Sequence, residues 1–157
     1  MLRVYLETTV ISYLAARRSK VIALAWHQKI THDWWAVRRH DFELFVSELV
    51  VMEASRGDVE AAARRIDVLG GLSLLEINNK VYSLAEAFIA EGVVPTTFGD
   101  DAFHIAISAV HGVDYLLTWN CKHIANAEMR VKIESVARKN GFICPVICTP
   151  EELMGDV

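Results

Sequence analysis

Apolar positions along the chain fall into blocks of two lengths. Short apolar runs at residues 2–6, 42–46, 72–75, 115–117 and 145–148 have strand length and lie between turn formers. Longer stretches between them carry apolar residues at helical spacing, as in Ala23, Trp26, Ile30, Trp34 and Val37 within 20–39. Punctuation marks the predicted helices. Thr8 or Thr9 caps one that runs to about residue 16, Ser47 caps one that stops near Gly57, and Asp58 starts one that ends at Gly70-Gly71. Asn78 or Asn79 caps a helix that Gly92 closes, Asp100-Asp101 opens one that Gly112 ends, and helical material from about 121 to 140 stops at Gly141. Strand and helix alternate throughout. The expected fold is therefore α/β, a central, mostly parallel sheet of about five strands with helices on both faces. Proline at 145 puts the fifth strand at an edge. The expected division is one domain over 1–150 and a C-terminal tail over 151–157.

Composition narrows the class. The 157 residues are 53% hydrophobic and 23% charged, as in globular domains. No apolar run approaches the ~20 residues of a membrane span, and polar residues such as Glu7 interrupt any signal-peptide core, so no membrane association and a cytoplasmic location are expected. A net charge of −4 argues against a general nucleic-acid binder, but an acidic metal cluster counts as negative until loaded. Basic residues cluster locally, and solvated helix faces are the reading for Arg64 and Arg65. Three cysteines give no disulfide framework. Cys121, His123, Cys144 and Cys148 match no common zinc spacing, which leaves Cys144 and Cys148 as buried small hydrophobes.

The acids carry the candidate chemistry. Glu7 ends the first strand, Glu53 lies on an apolar stretch of the helix after the second, and Asp100 and Asp101 begin the helix before the fourth. Ligands of parallel sheets bind at the carboxyl ends of strands, where Glu7 stands. Each acid also has a plain reading: Glu7 as a cap of the next helix, Glu53 as a rim residue, and one of Asp100 and Asp101 as an N-cap. Three acids at one sheet edge would repel one another, and a divalent cation relieves that repulsion. Mg²⁺ and Mn²⁺ favour such oxygen ligands. His104 fits a satisfied core histidine better than a ligand of such a site. Of Trp34 and Trp35, one is expected in the core and the other at a dimer or partner surface. A phosphate-accepting receiver domain would also place acids at strand ends, but no aspartate follows the third strand where that site needs one.

Four segments carry a family resemblance. LETTVISYL, FVSELVVMEASRG, DDAFHIAISAVHG and DYLLTWNCKHI stand in order across nearly the whole chain. Together they resemble the four blocks of PIN-domain proteins of the VapC toxin type. The resemblance implies a PIN-like fold and a metal-dependent endoribonuclease that hydrolyses RNA phosphodiester bonds with Mg²⁺ or Mn²⁺. It assigns Glu7, Glu53 and Asp101 to catalysis and the metal, with Asn120 as a fourth metal ligand. The hydroxyls of Thr8 and Thr118 would orient ligands or water, with Asp100 in support. Apart from the resemblance, Arg17, Arg18, Arg56 and Lys122 are candidates for phosphate contacts, and each alone also reads as a solvated charge. The resemblance also implies a toxin's cognate antitoxin and a homodimer as partners. Two positions depart from the pattern. Glu7 stands where the family's usual acid is Asp, and a misplacement of ~1 Å can cost ~100-fold in rate. Asn120 stands where many relatives have an acid, and it brings no charge to the metal. The alternative is therefore a PIN-like module that binds RNA or protein and has weak or no catalysis.

Overall fold

The computed structural model describes residues 1–156; the expected tail extends to residue 157, which lies outside them. Five strands among these residues form one parallel sheet: β1 (Leu2–Leu6), β2 (Phe42–Ser47), β3 (Ser73–Leu75), β4 (Tyr115–Leu117) and β5 (Val146–Cys148). Their order is β3-β2-β1-β4-β5, so the fifth strand is an edge, as its proline predicts. Among the described residues, seven α-helices surround the sheet: α1 (Thr8–Ala15), α2 (Ile22–Arg38), α3 (Glu48–Ala54), α4 (Val59–Leu69), α5 (Asn79–Ala90), α6 (Gly99–Val110) and α7 (Ala127–Lys139).

Helices α1 to α4 pack on one another, and α5 packs on α6 and α7. This division follows from the strand order. The chain steps outward from β1 to β3, then returns to the other side of β1 for β4 and β5. With right-handed crossovers, that reversal sends the two runs of helices to opposite faces. The central strand is consequently sealed on both sides: Val4, Tyr5 and Leu6 are fully buried. Fully buried Trp34, Phe88, Ile105 and Ile133 fill the layers around it. Each such side chain contributes about 1.5–3 kcal/mol by leaving water.

Several local expectations need correction. Glu7 itself is the N-cap of α1, accepting the Thr9 N–H, so Thr8 and Thr9 are already helical. Helix α6 begins at Gly99 with Phe98 as its N-cap, and neither Asp100 nor Asp101 caps it. The stretch after β4 is not helical from 121; a turn intervenes, because the Asn120 carbonyl takes the Ile124 and Ala125 N–H groups. Asn126 then caps α7 through the Glu128 and Met129 N–H groups.

In α2 only Ile30 and Trp34 of the apolar series are buried, whereas Trp26 and Val37 are exposed. Polar Gln28 and Thr31 are buried in their stead because both are satisfied. Gln28 binds Ser19 N and Arg17 O, and Thr31 takes the Trp119 indole N–H. Trp34 is the core tryptophan, and Trp35 is half-buried under the Arg39 guanidinium, 4.1 Å from its ring. Arg64 and Arg65 are not solvated faces. Arg64 donates to Ala15 O at the end of α1, and Arg65 to Ala54 O and Arg56 O at the end of α3, where carbonyls lack helical partners. Gly112 and Gly141 end α6 and α7 with φ of 64° and 85°, as predicted for glycines in that role.

Candidate metal centre

Strand order reverses between β1 and β4, and their carboxyl ends meet there. The Glu7 N–H donates to Leu117 O at 3.0 Å, and Thr118 N–H to Cys148 O at 3.0 Å, which extends the ladder by one residue on each strand. Glu7 and Thr118 therefore face one another at the switch point, the usual ligand crevice of such sheets.

Glu7 is buried, at 4% exposure, and has no cationic partner among the described residues. Three neutral donors hold it instead. Its Oε1 accepts from the Thr9 hydroxyl at 2.6 Å and the Thr118 hydroxyl at 2.5 Å, and its Oε2 from the Thr9 N–H at 3.2 Å. Those hydroxyls are fixed in turn. Thr9 Oγ1 accepts the Trp119 N–H at 2.8 Å, and Thr118 Oγ1 the Asn120 N–H at 2.9 Å.

Glu53 arrives from the last turn of α3. Its Oε1 accepts from the Thr8 hydroxyl at 2.6 Å and contacts His104 Nε2 at 2.6 Å; its Oε2 accepts no hydrogen bond among the described residues. Burial pushes this carboxyl's pKa up. The His104 hydrogen bond and charge, the Thr8 hydroxyl and Arg56 outweigh burial and hold it below the usual glutamate value. His104 is fully buried on α6, and its Nδ1 lies 2.8 Å from the Tyr5 hydroxyl. Burial disfavours a charge on this ring, yet the Glu53 bond and the fields of Glu7, Glu53 and Asp101 leave its pKa above the ordinary histidine value.

Asp101 sits in the first turn of α6, where the helix dipole favours a carboxylate. Burial raises its pKa, Glu7 raises it further, and His104, Asn120 and His123 counter only in part. Asn120 reaches it through the amide nitrogen, Nδ2 to Oδ1 at 3.2 Å. The amide oxygen is engaged elsewhere, accepting the His123 N–H at 3.1 Å. That backbone group can only donate, so the oxygen must face it and the NH₂ must face the acid. Asn120 is thus a donor to an acid here, where an oxygen ligand was expected.

The remaining residues divide by location. Asp100 pairs with Arg56 at 3.6 Å, both substantially exposed, so Arg56 stands at the rim of the acidic site. Exposed Lys122 lies in the turn that carries Asn120. Arg17 lies beyond the far end of α1 and faces Glu60 at 3.8 Å across solvent, away from the acids. His123 stacks on Phe98 at 4.1 Å, and its buried Nε2 has no partner among the described residues. The three cysteines join no metal-ligating group among the described residues. Burial pushes the thiols of Cys144 and Cys148 up to about 12, which suits inert packing.

Glu7, Glu53 and His104 each offer one ligand atom, and these atoms lie within 4.8 Å of one another. A buried group of two acids and an imidazole, with a third acid close enough to feel its charge, can hold a metal ion. His104 fits its expected place as a satisfied core histidine, but its contact with Glu53 makes it part of the site. Sequence patterning also missed Tyr5, Thr9 and Ser47 as members of this network; Tyr5 looks like any core aromatic, and only its hydroxyl hints otherwise. Comparison with family models, characterised proteins and solved structures returned no match.

Proposed function

We propose that the chain is a metal-dependent endoribonuclease of the PIN-domain, VapC toxin type, acting on RNA phosphodiester bonds. The observation that carries this reading is the meeting of Glu7, Glu53 and His104 within 4.8 Å at the switch point of the sheet, with Asp101 close enough to feel the charge of Glu7 and with spare oxygens on all three acids. Glu53 Oε2 and Asp101 Oδ2 accept no hydrogen bond among the described residues, and Glu7 Oε2 accepts only the long bond from Thr9. The donor set fits a hard divalent cation. It is rich in carboxylate oxygen and carries more negative charge than the one imidazole balances.

Glu7, Glu53 and Asp101 would hold the ion. When bound, Mg²⁺ or Mn²⁺ supplies a water of lowered pKa and offsets charge on the phosphodiester. The protein's own part is positioning. Thr9 and Thr118 fix one oxygen of Glu7 and leave the other for the ion. Thr8 and His104 do the same for Glu53. Asn120 turns Asp101 by its amide donor. Arg56 and Lys122, at the rim, are placed to meet phosphates that flank the cut; Arg17 is placed to touch only a longer substrate.

A second reading has its own observation. Asn120 contributes a donor where a fourth acid would contribute charge, so a module that binds RNA without efficient cleavage shares the same fold. Purified protein incubated with a panel of structured RNAs, transfer RNAs among them, separates the two. Cutting that requires Mn²⁺ or Mg²⁺, stops with EDTA and is lost in Asp101→Asn is the expected result. Folded, metal-supplied protein that leaves every RNA intact, or cutting that survives Asp101→Asn, would favour the binding module.

A further inference from the structure

Behind Glu53 runs a buried chain of polar groups that binding of an ion does not by itself explain. Ser47 Oγ lies 2.8 Å from the Tyr5 hydroxyl, that hydroxyl 2.8 Å from His104 Nδ1, and His104 Nε2 2.6 Å from Glu53 Oε1. Ser47, Tyr5 and His104 are all fully buried. In such a chain every proton needs one acceptor, so a fixed end sets the direction of the whole.

The fixed end is the start of α3. Ser47 is that helix's N-cap, and its Oγ accepts the Val50 N–H. The backbone group can only donate, so the single hydroxyl proton of Ser47 has one acceptor within reach among the described residues, the Tyr5 oxygen. The Tyr5 proton then goes to His104 Nδ1. With Nδ1 accepting, the ring's own proton sits on Nε2 and is donated to Glu53.

We infer that Ser47 and Tyr5 lock His104 with its proton on Nε2, making it a positioning donor to Glu53 and withholding imidazole nitrogen from the metal. The centre is thereby an all-oxygen one. Imidazole suits zinc, copper and nickel, whereas carboxylate oxygen suits magnesium and manganese, so the relay is a selectivity device. This inference rests on the metal-site reading above, but its first test does not need the metal.

Nitrogen NMR of ¹⁵N-histidine-labelled, metal-free protein reads the ring directly. Nε2 of His104 should carry the ring proton, and still carry it after saturation with Mg²⁺. Tyr5→Phe keeps the packing and removes only the hydroxyl. It should shift the His104 Nδ1 resonance and weaken Mn²⁺ binding by about three- to ten-fold, the loss of one buried hydrogen bond. A neutral ring protonated on Nδ1, or an Nε2 that loses its proton when metal is added, would overturn the inference while leaving the metal site intact. Wild-type protein that binds neither Mg²⁺ nor Mn²⁺ would sink the metal reading instead, and the metal-free spectrum would still decide the tautomer.

Discussion

Glu7 shows how a carboxylate persists at the end of a buried strand. Neutral donors, not a cation, hold it, and they come from both sides of the switch point: Thr9 on its own chain segment and Thr118 from the end of β4. Thr118→Val keeps the shape and removes one donor. It should cost about 1–3 kcal/mol in metal-free protein, the range for leaving a buried acceptor short of a bond, measured by urea denaturation. The acids were legible in the sequence as residue types at strand ends and helix starts. Their support was not. Thr9 reads as a helix cap, Ser47 as another, and Tyr5 as core, because sequence patterns report faces and ends but not which hydroxyl meets which carboxylate. Asn120 was foreseen as an oxygen ligand. The His123 N–H that claims its oxygen comes from a turn invisible in the apolar spacing.

At the scale of elements, most boundaries follow from local chemistry. The five strands fall where the short apolar runs predict, and glycines end α6 and α7 as expected. The misreadings occur where a side chain bonds to the backbone without changing the hydrophobic pattern. The segment 118–126 is one case. Asn120 organises a turn there, and helix α7 waits for Asn126. Asn126→Ala should therefore destabilise the protein by about 1 kcal/mol, the usual worth of an N-cap, read as a lower urea midpoint with unchanged slope. The start of α2 is another case. Helical spacing marks Trp26 as core, yet the buried face there is set by Gln28 and Thr31, whose hydrogen bonds allow burial of polar groups.

For the molecule as a whole, strand order is what turns scattered acids into a site. Glu7, Glu53 and Asp101 lie on β1's end, α3 and α6, and only the reversal at β1 and β4 brings those elements together. Strand and helix alternation foretold a parallel sheet but could not foretell its order, so the meeting of the acids was an expectation that the fold had to supply. No helix is long and apolar enough to cross a membrane among the described residues. The central claim is that the three carboxylates form one cation site, and calorimetric titration of chelator-stripped protein with Mn²⁺ tests it most directly. Wild type should show saturable binding, and Asp101→Asn, which keeps side-chain size and removes one charge, should bind at least ten-fold more weakly while folding normally. Equal affinity in the two proteins, or no saturable binding in folded wild type, would contradict the claim.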